Sequence, residues 1–135
     1  MKPSVKFALS VLAYLIPTMI LGMVWHFIFF KELYESFGIY NRMDPIVPLG
    51  MTSMLIQGII ISYLYPFYSR ENNTVMQGIK FGLIVGLFLY SVSTIANAAK
   101  INVAPMPTWF LIQLLFHLIQ FVVAGALIGW IHAKK

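Results

Sequence analysis

Residues 108–131 read TWFLIQLLFHLIQFVVAGALIGWI, a run of 24 residues without one Asp, Glu, Lys or Arg. A helix that rises about 1.5 Å per residue needs about 20 apolar residues to cross roughly 30 Å of hydrocarbon. Three more apolar stretches of comparable length precede this run, at about 7–30, 46–67 and 75–99. The sequence therefore predicts an all-α integral membrane protein, a bundle of four transmembrane helices that forms one domain over residues 1–135.

The composition agrees with a chain that is surrounded by lipid. Hydrophobic residues make up 60% and charged residues 10% of the sequence, against about 45–50% and about 25% in soluble domains. The net charge of +5 comes from basic residues that lie mostly near the ends of the apolar runs, where they contact lipid headgroups rather than nucleic acid. The absence of cysteine excludes disulfides, thiolate metal sites and thiol redox chemistry.

The distribution of basic residues predicts how the chain is oriented in the membrane. Three of them would lie on one side, at Lys31, Arg42 and Lys100. The other side would carry six, namely Lys2, Lys6, Arg70, Lys80, Lys134 and Lys135. By the positive-inside rule both termini are expected in the cytoplasm. Trp109 and Trp130 are 21 positions apart (130 minus 109), roughly 32 Å along a helix, so we expect them at opposite membrane interfaces.

Two features of the connections between the spans are also predicted. The first loop, residues 31–45, mixes charged with apolar and aromatic residues, and both a short interfacial helix and an ordinary loop suit that mixture. Pro48 is expected to open the second span and Pro66 to close it, because proline is tolerated in the first turn of a helix and disrupts its interior.

Glycines recur at every fourth position in the last two spans, in the third at Gly78, Gly82 and Gly86 and in the fourth at Gly125 and Gly129. Small residues at this spacing let helix backbones approach closely, which matters in lipid because lipid provides no hydrophobic drive for helices to associate. The ridges are predicted to pack within the four-helix bundle. A homo-oligomeric or partner interface is the alternative.

Several polar residues fall inside the spans. In the fourth span Gln113, His117 and Gln120 share one helical face. With the residues of the other spans they predict a polar intramembrane cluster composed of Gln57, Thr94, Asn97, Gln113, His117 and Gln120. Such groups are costly to bury without partners. Two interpretations stay open: hydrogen bonds between helices, or a small polar site for a ligand in the outer half of the membrane.

Two metal hypotheses follow from histidine and methionine, although no cofactor is the leading prediction. His26 and His117 lie within the spans and on different helices, an arrangement that could ligate the iron of haem b. Their depths differ by about 6 Å at the helical rise, which disfavours that role. Thioethers beside an imidazole would suit Cu(I), and the candidates are Met19, Met23, His26, Met51 and Met54. Methionine also fills gaps in apolar cores without any metal.

The sequence lacks the residues that catalysis and proton-coupled transport require. No Asp or Glu lies inside any span, so the embedded carboxylate that couples protons to cations in small multidrug exporters is missing. The chain also lacks a Ser/His/Asp arrangement and a phosphate-binding arginine cluster. We therefore predict that the protein is not an enzyme.

The stretch from Gly22 to Tyr34, GMVWHFIFFKELY, is followed by Phe37 and Gly38. It resembles the glycine, tryptophan-aromatic and phenylalanine-basic pattern that closes the first helix in a family of small bacterial four-helix inner-membrane proteins of unknown function. The later stretch GIKFG at 78–82 and the helix with Gln113 and His117 are similar too. The resemblance covers nearly the whole chain and implies that architecture and a bacterial inner membrane.

The leading functional prediction is a non-catalytic accessory or stabilising subunit. It would pack its glycine ridges and aromatic surfaces against other membrane subunits or against a second copy of itself. The alternative is a carrier or binding protein for a small or lipidic ligand that uses the polar intramembrane cluster. The lipid bilayer is an expected partner in either case.

Overall fold

The computed structural model describes residues 1–133, and this part of the chain is helical and contains no strand. Helix α1 covers Pro3–Val24 and continues as a π-helical segment through Trp25–Phe29. The short helix α2 covers Lys31–Ser36, and α3 covers Val47–Tyr68. Helix α4 covers Val75–Tyr90, continues in π-helical form through Ser91–Ala96, and is followed by α5 at Met106–Ala133. Lys134 and Lys135, which support the predicted orientation, lie outside the described residues.

Four of these helices are long and apolar enough to cross a membrane, at Pro3–Phe29, Val47–Tyr68, Val75–Ala96 and Met106–Ala133. The predicted fold class, an all-α bundle of four membrane-spanning helices, is therefore confirmed. Pro48 lies in the first turn of α3 as predicted. Pro66 does not close α3, because the helix continues for two more residues to Tyr68.

Helices α4 and α5 share the most extensive contact in the bundle. All five predicted ridge glycines are buried in this contact. A Cβ atom on Gly78 would collide with the carbonyl oxygen of Gly125, and one on Gly82 with the carbonyl oxygen of Phe121. A Cβ on Gly129 would lie 2.6 Å from the carbonyl oxygen of Thr74. The ridges therefore pack against each other within this chain.

The two ends of the chain meet at one end of the bundle, which we call the terminal end. Lys6 Nζ donates to the carbonyl oxygen of His132 at 3.3 Å, and Ser10 Oγ lies 3.2 Å from His132 Nε2. The turn between α3 and α4 lies here too, because the ring of Tyr65 packs on His132 at 4.9 Å between centroids. The opposite end, called the loop end, carries residues 25–45 and 97–105.

The first loop contains a short helix followed by an irregular segment, and whether that helix lies in the membrane interface stays a prediction. Helix α2 spans six residues, and the chain from 39 to 46 is irregular. Tyr34 and Phe37 turn back into the bundle and are almost fully buried. They cover Trp109, which packs edge-to-face on Phe37 at 5.4 Å and is itself 2% exposed. The indole of Trp109 therefore contacts protein rather than lipid, and its predicted depth at a membrane interface stays a prediction.

Candidate functional site

Tyr14 is the centre of a hydrogen-bonded network between α1, α3 and α5. Its hydroxyl donates to Gln57 Oε1 at 2.5 Å and accepts from Gln120 Nε2 at 3.1 Å. Gln120 Nε2 also lies 3.4 Å from Thr18 Oγ1. Each such bond between transmembrane helices contributes roughly 0.6 kcal/mol. This central network therefore connects three spans through neutral groups.

A second network lies at the loop end and fixes α2 to the bundle. Tyr34 OH donates to Gln113 Oε1 at 2.5 Å and accepts from Trp25 Nε1 at 3.1 Å. The ring of His26 packs on that of Tyr34 at 4.5 Å. Burial raises the pKa of Tyr34 to about 12, although the hydrogen bond from Trp25 opposes this shift. Tyr34 is therefore a neutral phenol that both donates and accepts.

His117 joins α5 to α4 next to this network. Its Nδ1 lies 2.7 Å from the carbonyl oxygen of Gln113, and its Nε2 lies 3.2 Å from Ser93 Oγ. A carbonyl oxygen can only accept, so Nδ1 carries a proton, and in the neutral ring that burial favours Nε2 then accepts from the serine. Both ring nitrogens are thus occupied. The imidazole is a neutral link between the two helices.

The two π-helical segments account for much of the geometry at the loop end. One begins at Trp25, and the other contains Ser93 and Thr94. A π-helical turn inserts an additional residue and so changes the direction in which the following side chains point. In this chain Trp25 bonds to Tyr34 and Ser93 to His117. Both segments therefore lie where α1 and α4 contribute to the polar networks.

The predicted polar cluster is only partly brought together. Gln57 and Gln120 meet through Tyr14 in the central network, and Gln113 and His117 belong to the loop-end group. Thr94 is fully buried, 3.4 Å from Ser93 Oγ. Asn97 is exposed, and its amide donates to the carbonyl oxygen of Ser93 on its own helix. It therefore does not join the cluster.

Five residues of the networks were missed by the sequence analysis, namely Tyr14, Thr18, Trp25, Tyr34 and Ser93. A signal existed for two of them, because Ser10, Tyr14 and Thr18 recur every four residues and are the buried residues of α1. Tyr34 had no such signal. It belongs to a loop by sequence, and only the return of α2 to the bundle brings its hydroxyl to Gln113.

The structure shows what surrounds the residues of the two metal hypotheses, which stay predictions. His117 uses both ring nitrogens in hydrogen bonds, and His26 Nδ1 lies 2.9 Å from the carbonyl oxygen of Gly22. Met23 and Met51 are exposed, while Met19 and Met54 are half-buried. Among residues 1–133 no group of three or more His, Cys, Asp or Glu side chains is arranged to hold a metal ion.

The space beside His117 is small. A cavity of about 60 Å³ lies between α4 and α5, lined by His117, Tyr90, Gly86 and leucines. Since one water occupies about 30 Å³ in the liquid, this cavity has room for roughly two water molecules. Ligand sites measure about 300–1,000 Å³. Beside His117 the polar groups therefore bond to one another, and the space that is left is smaller than a ligand site.

Comparison with protein-family models, with curated proteins and with solved structures gives no match for this chain. The resemblance to small bacterial inner-membrane proteins therefore stays a prediction.

Proposed function

We propose that this protein is a non-catalytic accessory subunit that stabilises a larger membrane protein, and that a transmembrane helix of that partner docks on the loop-end half of α3. The observation that carries the proposal is the packing of α3. Its buried residues, Gly58, Ile61, Ser62 and Tyr65, lie in the half nearest the terminal end. In the other half, residues 47–56 are all exposed except Met54.

The composition of this exposed half suits a helix partner better than lipid. Gly50 has open space around it, with nothing within 4 Å of an added Cβ. Thr52 and Ser53 are exposed beside it. Small and hydroxyl-bearing residues are typical of helix contacts in membranes, since they allow close approach and hydrogen bonds between chains. The surface formed by residues 47–56, which we call the α3 face, has these properties.

The hydrogen bonding of the α3 face leaves a donor for the partner. Gln57 Nε2 donates to Ser53 Oγ at 3.1 Å. Thr52 satisfies its own hydroxyl by donating to the carbonyl oxygen of Pro48 at 2.8 Å. Within residues 1–133 the hydroxyl proton of Ser53 has no acceptor, and an exposed donor in hydrocarbon is costly. A carbonyl or side-chain oxygen on the partner helix would satisfy it.

The internal networks support the non-catalytic part of the proposal. The buried polar groups are neutral and bond to each other, and the spans contain no carboxylate. Such groups hold helices in place without supplying an acid, a base or a nucleophile poised for reaction. The glycine ridges are occupied by the contact between α4 and α5, whereas Gly50 on the α3 face is open to a partner.

Site-specific cross-linking in native membranes tests this assignment. A photoreactive residue at Thr52 should give an adduct with a different membrane protein, identified by mass spectrometry. The same residue at Leu87, which is 66% exposed on α4, serves as the matched lipid-facing control. An adduct of twice the chain's own mass would show that the α3 face binds a second copy of this chain, and the proposed role as an accessory subunit would then be wrong. Equal labelling of lipid alone at both positions would refute the proposal.

A second variant separates docking from folding. Gly50→Ile should abolish the Thr52 adduct and keep the thermal stability in detergent, because the new side chain meets nothing within this chain but blocks close approach of a partner helix. Retention of the adduct in Gly50→Ile would show that the α3 face is not the docking surface.

A further inference from the structure

A much larger cavity lies at the terminal end, between α1 and α3. Its volume is about 400 Å³, the space of roughly a dozen water molecules at about 30 Å³ each. Aromatic side chains of both helices line it, namely Phe7, Tyr63 and Phe67. Lys6, Ser62 and His132 provide its polar groups. The cavity therefore combines an apolar wall with a few polar atoms, as ligand sites do.

Ser62 is the unusual residue of this cavity. It is 1% exposed, and its Oγ has no hydrogen-bond partner within residues 1–133. Several other helical hydroxyls donate to a carbonyl oxygen one turn earlier, as Ser10 does to Lys6 and Thr52 to Pro48. An unpaired hydroxyl at this depth costs about 1–3 kcal/mol. A bound molecule with an acceptor oxygen in the cavity would remove that cost.

The charge of the cavity is positive. Lys6 is half-buried, and its ammonium donates one hydrogen bond to the carbonyl oxygen of His132 at 3.3 Å. An ammonium has three donors, so two remain. Among the described residues no Asp or Glu lines the cavity. Ser10 Oγ donates to the carbonyl oxygen of Lys6 at 2.8 Å, so His132 Nε2 is the donor in its contact with Ser10. His132 uses this N–H on Ser10, so the two remaining donors of Lys6 are the groups that favour an anionic ligand.

We propose that this cavity is a binding site for an anionic phospholipid. The phosphate contacts Lys6, an ester oxygen of the glycerol region accepts from Ser62, and an acyl chain lies along Phe7, Tyr63 and Phe67. The cavity is at the end of the spans, where headgroups lie, and its volume far exceeds that of a lone phosphate ion. It is distinct from the α3 face, which occupies the opposite half of α3, and from the outer-half ligand site that the sequence suggested.

Native mass spectrometry of the full chain in mild detergent tests the site. After delipidation, phosphatidylglycerol and phosphatidylcholine are added separately at matched concentration. We expect one phosphatidylglycerol per chain at a concentration where phosphatidylcholine is not retained. Lys6→Gln should weaken phosphatidylglycerol binding about fivefold, the effect of one basic group near an anionic lipid surface. Equal retention of the two lipids by the unmodified chain would overturn the proposal.

Matched variants distinguish a lipid site from a general charge effect. Lys80, which is exposed near the start of α4, provides the control: Lys80→Gln should leave the binding constant unchanged. Ser62→Ala should weaken binding without lowering the melting temperature of the lipid-free protein, because the hydroxyl has no partner there. Equal losses in Lys6→Gln and Lys80→Gln would refute the site.

Inorganic phosphate carries the same anionic group as the lipid and is the alternative ligand for Lys6. Phosphate at millimolar concentration, without lipid, should not raise the melting temperature, whereas phosphatidylglycerol should raise it in the unmodified chain and less in Lys6→Gln. If phosphate alone gives the full increase, the site is an anion site and the lipid assignment is wrong.

Discussion

Gly82→Ala should lower the free energy of unfolding by about 2 kcal/mol, even though alanine is a better helix former than glycine by about 1 kcal/mol. The added Cβ would collide with the carbonyl oxygen of Phe121 and lie 3.2 Å from Gly125 Cα. Both are backbone atoms of α5, which cannot rotate away. The two helices would have to separate, and a gap of 0.5–1 Å removes about a quarter to a half of the dispersion energy of each contact.

The magnitude follows from two opposing effects. Overpacking of this kind costs about 1–3 kcal/mol, and the collision with backbone on a rigid helix places Gly82 at the upper end of that range. The gain of about 1 kcal/mol from helix propensity is then subtracted. Gly50→Ala is the matched control, because an added Cβ there meets nothing within 4 Å, so only the favourable effect applies. The two variants should differ by about 3 kcal/mol.

Equilibrium unfolding in mixed micelles with increasing sodium dodecyl sulfate, followed by tryptophan fluorescence, measures both variants. Gly82→Leu should lower the free energy of unfolding more than Gly82→Ala does, whereas a leucine at a lipid-facing position of α4 should leave it almost unchanged. The reasoning is refuted if Gly82→Ala and Gly50→Ala change the free energy of unfolding by the same amount within about 0.5 kcal/mol, the usual size of a surface effect.

Three further predictions follow from other parts of the structure. Tyr14→Phe should cost about 1 kcal/mol, since two hydrogen bonds between helices are lost at roughly 0.6 kcal/mol each, whereas Tyr63→Phe on the exposed side of α3 should have no effect in the same unfolding assay. Burial raises the pKa of Tyr34 from 10.0, its value without a protein environment, to about 12 in the folded protein. The neutral phenol therefore contributes its full stabilisation of the fold below pH 10, and this contribution is lost as the pH rises through 12. Unmodified protein should therefore lose on the order of 2 kcal/mol more than Tyr34→Phe across that interval, and parallel stability curves would contradict this. Because the sequence has no cysteine, Ser36→Cys should react with an impermeant maleimide added outside intact cells and Arg70→Cys only after permeabilisation; the reverse pattern would overturn the predicted orientation.

The sequence predicted the glycine contact well because the glycine pattern is local. Four-residue spacing places Gly78, Gly82 and Gly86 on one face of a helix whatever surrounds it. In lipid, a face of this kind is useful only when another backbone lies against it. The sequence favoured pairing of that face within the bundle but left an interface with another subunit open, and only the packed structure decided between the two, by placing Gly125 and Gly129 of the same chain against it.

The candidate site could be predicted only in part. Gln113, His117 and Gln120 are recognisable as one face of α5, yet the structure divides them between two networks. Their partners come from α1, α2 and α4 and are up to 106 positions away in the sequence. A phenol such as Tyr34, placed in a loop by its sequence neighbours, reaches Gln113 only because α2 folds back over Trp109. Periodicity along one helix contains no information about this.

The sequence by itself determined that lipid surrounds the chain and that four helices are long enough to cross the membrane. Four long runs without acidic residues are incompatible with water around the chain, because their apolar surface has to face hydrocarbon and each backbone must bond within its own helix. What the tertiary structure decided is which surfaces stay open: the loop-end half of α3, left unpacked beside Gly50, and the cavity where Ser62 has no partner. Those surfaces depend on how the helices cross and how closely they approach, and distances between residues far apart in sequence are set only when the whole bundle is packed.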